Sequence, residues 1–371
     1  TANRNRSTNG AGGGFYIHSS TVTIDSSTIS NNFSYSYGGG LAIYSNSDIT
    51  ISNTSITSDT TDNNLGGGIY IEGGELRLHN VQVDSNEAKD YGGGIYVSGA
   101  DTLIVTNTTF NHNTTIENGS RGGGVYLDGN STNQLITFDQ CRIQYNQASY
   151  YGGGVYIYNY SPVFTNILIT DNVVDMENTN ARGGGVYDAS GTSSYYPQFI
   201  NVTIANNMAY YGGGYWRHSA ADSRLTNCII YHNTATSSPS LNSAGSVTYS
   251  DIEGGYSGTG NIDSDPMFTD LYGDDYTLSD YSPAIGAGTA TGAPTVDIAG
   301  NIRPNPADSS PDMGAYENAR SERVSGVKYY VATTGSDSSS LGTSSTPFLT
   351  IQRAVDAAWD GDTVLVLPGT Y

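Results

Sequence analysis

Carboxylates give this chain its widest scope for chemistry: 35 Asp and Glu against 14 Lys and Arg leave a formal net charge of −21. Five of them, Asp263, Asp265, Asp270, Asp274 and Asp275, fall in one short stretch and offer the hard oxygen ligands that calcium takes. Their spacing fits neither an EF-hand nor a nonapeptide repeat, and turn-forming aspartates give the same density, so calcium and turn formation both stay open. Paired carboxylates could also act on a polysaccharide. Hydrolysis needs a close pair across the glycosidic bond, and elimination needs acids clustered around calcium beside an arginine or lysine base. The alignable column Asp25, Ser52, His79, Thr106 and Asp139 does not stack its acids, and Arg77, Arg121, Arg142 and Arg182 share no register with it. His18, His79, His112, His218 and His232 lack metal-ligand spacing. The expectation is a protein that is not an enzyme, with no catalytic residue and no cofactor assigned.

A repeat sets where these side chains can stand. Three glycines, an apolar residue and usually a tyrosine recur eight times, with first glycines Gly12, Gly38, Gly66, Gly92, Gly122, Gly152, Gly183 and Gly212 and a period of 26 to 31 residues. A second element keeps step, a short apolar segment closing at Asn32, Asp59, Asn86, Asn113, Asn146, Asn172, Asn207 and Asn233. Most coils thus carry two short alternating strands, such as 69–71 and 81–83, and no helix-length periodicity. Strands this short cannot bury a face alone, so coils must stack at about 4.8 Å into a parallel β-helix. Phe15, Ile17, Ile29, Ile69, Ile71, Val81 and their counterparts are expected inside. The asparagines are expected to form an amide ladder, at corners whose left-handed backbone Asn tolerates.

These two elements resemble the repeats of chlamydial polymorphic outer-membrane proteins and the wider right-handed β-helix adhesin-like proteins, with the third glycine and the tyrosine as local variants. The resemblance covers roughly residues 12–233 and implies a secreted or surface-displayed right-handed β-helix. That scaffold also carries pectate lyases and polygalacturonases, so a polysaccharide-acting enzyme is the alternative function.

Strand alternation points Phe15 inward and Tyr16 outward, so Tyr16, Tyr70, Tyr96, Tyr126, Tyr156, Tyr187 and Trp216 should form a solvent-facing aromatic ladder, broken at Ala42. Such a row can take a surface carbohydrate or a neighbouring fibre, or can simply stabilise the sheet by stacking. Cys141 and Cys228 occupy the position of Val81, Ile167 and Val202 and should be buried, reduced thiols three coils apart. Of nine glycosylation sequons, Asn118 and Asn130 lie in coil insertions that leave room for a glycan. An acidic surface with only Lys89 and Lys328 as lysines argues against nucleic acid and anionic membrane. No run of 18 apolar residues, signal peptide or initiator methionine is visible, so the chain reads as a mature product or an excised portion of a longer one.

Three segments follow: coils over 1–235, terminal coils and a closing region over 236–322, and 323–371. The runs DPMF, SPAIGAG and GAYE within the second resemble the closing region of bacterial and archaeal β-helix surface proteins. The third resembles the opening of such a domain, which implies a strand, a capping helix and a first coil strand. Thr350 suits an N-cap, Ile351, Ala354, Val355, Ala358 and Trp359 share a helical face, and Gly361 suits the stop. The expected fold is all-β, a solenoid with one short capping helix near the C-terminus. The expected function is a structural module of an extracellular or cell-surface fibre or adhesin. Its copies would join head to tail through Trp359, Val364, Val366 and Tyr371.

Overall fold

A computed structural model describes residues 1–131, 133–192, 194–218, 222–324, 326–358 and 361–371. Four parallel sheets of ten, seven, eight and nine strands run up one stack, here sheets I to IV in the order the chain meets them. Sheet I begins with Ala2–Asn3, sheet II with Arg6–Ser7, sheet III with Phe15–His18 and sheet IV with Thr21–Asp25. Register is held coil to coil: Ile69 pairs with Leu41 before it and Ile95 after it. Most coils hold four strands rather than the expected two. The missed ones are Glu75–His79 and its counterparts, whose period-two pattern buries Leu76 and Leu78, and two-residue strands such as Glu87–Ala88, too short to show a period.

Each glycine of a tripeptide has its own reason. Gly66 takes φ +69, a left-handed turn that side chains resist. A Cβ at Gly67 would stand 2.4 Å from the Gly93 carbonyl oxygen, so the coils meet there too closely for any other residue.

The core is the apolar interior of the stack. Ile29, Ile56, Val83, Phe110, Ile143, Ile169, Ile204 and Ile230 run up sheet I fully buried, each stabilising the fold by about 1.5–3 kcal/mol. Phe138, Phe164 and Phe199 stack across sheet IV with ring centres 5.0 Å apart. Phe15 departs from the expectation. It holds the inward register, paired with Leu41, yet is 38% exposed on the end strand of sheet III.

Only 236–262 continues the stack, ending at Ser246–Thr248 and Asp251–Ile252. Residues 263–322 do not form coils as expected but lie along the outside of sheet I. Phe268, Tyr276, Ile285, Ile298, Met313 and Ala315 bury Leu168, Ala205 and Ile229 of the sheet's outer face. At the adjoining corner the amides of Gln140, Asn166, Asn201 and Asn227 donate to the carbonyls of Asp297, Val296, Asp312 and Thr289. The outer column of sheet I reads Ser55, Gln82, Thr109 where it is open and Leu168, Thr203, Ile229 where it is covered.

The last segment places Lys328–Val331 beside Thr363–Val366 in a parallel pair. The helix Ile351–Ala357 lies near the C-terminus as expected, and the Thr350 hydroxyl accepts from the Arg353 backbone N–H. Its buried face is narrower than expected. Ala354 and Ala357 pack with Tyr329, Val331, Phe348 and Met267, while Ile351 and Val355 stay 40% and 52% exposed. Small residues let a seven-residue helix lie close to the strand, and that closeness lifts its larger side chains off the surface. Trp359 lies outside the described residues.

Candidate functional site

The amide ladder is the most regular polar feature of the stack. It has nine rungs, from Asn5, which precedes the first expected rung, to Asn233. The side chain of each asparagine rung up to Asn207 donates to the next rung's Oδ1 at 2.9–3.0 Å, and every backbone N–H from Asn5 to Asn207 donates to that same oxygen. The second amide hydrogen reaches a sheet I carbonyl, as from Asn86 to Ile56 and from Asn146 to Phe110. The left-handed backbone expected at these rungs belongs to the residue before each, such as Ser58, Ser85 and Tyr145. Turning the preceding residue leaves the amide free to point inward.

The aromatic row points away from the core as expected but does not face solvent. Tyr70, Tyr96, Tyr126, Tyr156 and Tyr187 are 2–6% exposed, with successive ring centres 5.5, 4.9, 4.6 and 5.4 Å apart. A second column covers them, supplied by the residue before each glycine tripeptide: Tyr37, Leu65, Tyr91, Arg121, Tyr151, Arg182 and Tyr211. The Arg121 guanidinium carbon lies 5.4–5.5 Å from the ring centres of Tyr91, Tyr151 and Tyr156, and Arg182 reaches Tyr151, Tyr211 and Trp216. Burial pushes the Tyr156 hydroxyl up to about 12, against the opposing charge of Arg121. Tyr44 bridges the gap at Ala42, 5.2 Å from Tyr16 and 5.6 Å from Tyr70. Only Tyr16, at the open end, is exposed, so the ring faces of the buried five are taken by one another and by their cover. Each pair adds about 0.5–1.5 kcal/mol to the stack.

The five candidate aspartates are not brought together. Asp263 accepts from the Gly254 backbone N–H, Asp270 from Gly273, and Asp275 from the backbone and hydroxyl of Thr277. Asp274 takes a left-handed conformation and meets the Tyr145 hydroxyl. Asp265 is buried between Arg353 and His232 and accepts from the Met267 backbone N–H. Burial works to raise its carboxyl, but the His232 hydrogen bond and the Arg353 charge prevail and hold it below the usual range. Among the described residues no group of three or more His, Cys, Asp or Glu converges as metal ligands.

Two further depressions bear on catalysis besides the one that holds Asp175 and Glu177 beside Asn118 and Asn178. One, at the corner of Asn53, Asn80 and Asn107, is lined by amides and hydroxyls without an acid. The other lies between 263–322 and the last segment and holds Asp265, Asp270 and Asp337. Asp337 accepts from the backbone N–H groups of Leu349 and Thr350, so all three carboxylates are already engaged within the chain.

Cys141 and Cys228 are buried and free. Asn118 is exposed in a turn, and Asn130 is exposed with its Oδ1 held by Gln134, while Thr132 of its sequon lies outside the described residues. Val364 is half-buried and Val366 is 40% exposed. Tyr371 is 45% exposed, and its hydroxyl donates within the chain, to the carbonyls of Val331 and Leu367. No helix among the described residues is long and apolar enough to cross a membrane.

Residues 13–207, more than half of the 371, match the family described as right handed beta helix region. The chain is also similar to metabotropic glutamate receptor-like protein R of Dictyostelium discoideum, 26% identical over 170 residues. That match covers 46% of this chain and 10% of the relative, so the chain spans about a tenth of that protein's length. No solved structure matches.

Proposed function

Since the chain belongs to the right-handed β-helix family, we propose that it is a structural module of the cell exterior, not an enzyme, and that its copies stack head to tail. The observation carrying this reading is a pair of open edges. Ala2–Asn3, Phe15–His18 and Thr21–Asp25 each end their sheet and pair on one side only among the described residues, with Phe15 38% and Tyr16 59% exposed. On the last segment, Thr363–Val366 pairs on one side only, and Leu365, Val366 and Leu367 are each 36–40% exposed. Open strand edges with apolar side chains are templates for further pairing, and a contact between unlike ends propagates into a filament. Copies linked in one longer polypeptide would make the same junction. The relative's receptor-like name supports a place at the cell surface.

Deleting 327–371 tests the assembly. Electron microscopy and sedimentation should show fibres with the full chain and none with the shortened one, whose middle coils stay folded. Fibres that form unchanged without the segment would overturn the mechanism.

A further inference from the structure

One rung of the ladder is an acid where the other eight are amides. Asp59 is fully buried, and its Oδ1 accepts from the backbone N–H and the side chain of Asn32 at 2.7 and 2.9 Å, as an asparagine oxygen would. Its own backbone N–H donates to Asn86 Oδ1 at 3.0 Å, again as at the other rungs up to Asn207. The difference is Oδ2, which stands where the amide nitrogen stands elsewhere. A Cβ added at Gly40 would meet Asp59 Oδ2, just as one at Gly68 or Gly94 would meet the amide nitrogen of Asn86 or Asn113. At those positions the nitrogen donates upward to the next Oδ1 and inward to a sheet I carbonyl. Oδ2 of Asp59 has no hydrogen-bond partner. The groups that an amide would satisfy there, Asn86 Oδ1 and the sheet I carbonyl of Ile29, are both acceptors. A carboxylate in that place would set three acceptors against one another in the dry interior.

We propose that Asp59 is a proton-binding rung: the neutral acid, with its hydrogen on Oδ2, completes the ladder, and loss of that hydrogen loosens the amino-terminal coils. This goes beyond the structural role proposed above and does not depend on assembly. The neutral form has one donor to give, which satisfies one of the two waiting acceptors; the anion has none. Asn32 from the coil before, Asn86 from the coil after, Gly40 from the glycine turn and Ile56 from its own strand surround it, and none of them titrates. Burial is the largest cause of its shift, opposed only by the Asn32 hydrogen bonds, and lifts the carboxyl to about 7 from an ordinary 3.8. No charged group contributes.

The sign follows. Below the unfolded value both states hold the proton and the rung costs nothing; as pH rises the unfolded chain ionises first, so stability falls until the folded value near 7 and then levels off. Asp59→Asn supplies the residue used at the other rungs and should remove this fall. The ratio of folding equilibrium constants, variant over wild type, should grow on the order of a thousandfold between pH 4 and 8. Hydrogen exchange should locate the loosening at the coils of Asn32 and Asp59, leaving those beyond Asn113 protected. A carbon-13 titration of the Asp59 carboxyl reads the proton directly and does not depend on the variant. A midpoint well above 4 supports the proposal. A midpoint at or below 4, or a variant whose pH profile parallels the wild type, overturns it.

Discussion

A Cβ placed on Gly154 would stand 2.9 Å from the amide nitrogen of Asn172, so the third glycine of a tripeptide and a ladder asparagine share one volume. The two repeating elements of the sequence are therefore one device, the glycine clearing the space that the amide fills. Gly154→Ala should force the rung aside and destabilise the stack by about 1–3 kcal/mol in urea unfolding. An unchanged midpoint would show that the ladder tolerates displacement.

Asn146 accepts from the backbone and side chain of Asn113 and donates to Asn172 Oδ1 and to the Phe110 carbonyl. Asn146→Ala strands the Asn113 backbone N–H, one Asn113 amide hydrogen and the Phe110 carbonyl in the interior, while Asn172 Oδ1 keeps the residue's backbone N–H. The expected loss is about 3 kcal/mol or more, since each buried group left unsatisfied costs about 1–3 kcal/mol. Asn146→Asp should do less harm at acid pH than at neutral pH.

The thiols of Cys141 and Cys228 are pushed up to about 12, above all by burial, and lie sealed in the core. Iodoacetamide at pH 8 should label neither until urea opens the stack. Rapid labelling of the native chain would place them at the surface.

Asp265 makes the last segment acid-sensitive. Its carboxyl is held below the usual range, so its contribution is complete above the unfolded value near 3.8 and is lost as pH falls through the folded one. Amide-exchange protection of 323–371, corrected for intrinsic exchange rates, should be lower below pH 4 than at pH 6, and Arg353→Ala should make it as low at pH 6 by leaving Asp265 buried without its cation. Equal protection at both values of pH would detach the segment's docking from this pair.

With Asp265, Asp270 and Asp337 engaged in caps and an ion pair, the chain should release neither unsaturated products nor reducing ends from polygalacturonate. Turnover abolished by replacing one carboxylate would favour the enzyme reading.

The stacked coils and the ladder were legible because period and register repeat. Eight glycine tripeptides and eight closing residues state the same coil again and again. The cover over the tyrosines was also written in register, at the position before each tripeptide, but Tyr91, Arg121, Tyr151 and Arg182 share no chemistry that a pattern of apolar residues would flag. Cation and ring alternate, and the signal is their complementarity. The course of 263–322 was hidden for a different reason. Its carbonyls meet Asn166, Asn201 and Asn227 across more than 60 residues of chain, and main-chain acceptors leave no trace in side-chain type. The one mark was the change of the outer column from Gln82 and Thr109 to Leu168 and Ile229, spread over separate repeats.

That change of column also sets which coils are interchangeable. A duplicated coil among those of Ser55, Gln82 and Thr109 would lengthen the rod by about 4.8 Å and leave the landing strip of 263–322 intact. A duplication between Leu168 and Ile229 would part the amides of Asn201 and Asn227 from Asp312 and Thr289, whose spacing the chain between them fixes. The amino-terminal half is free to vary in length by whole turns, and the carboxy-terminal half is a fitting of one size.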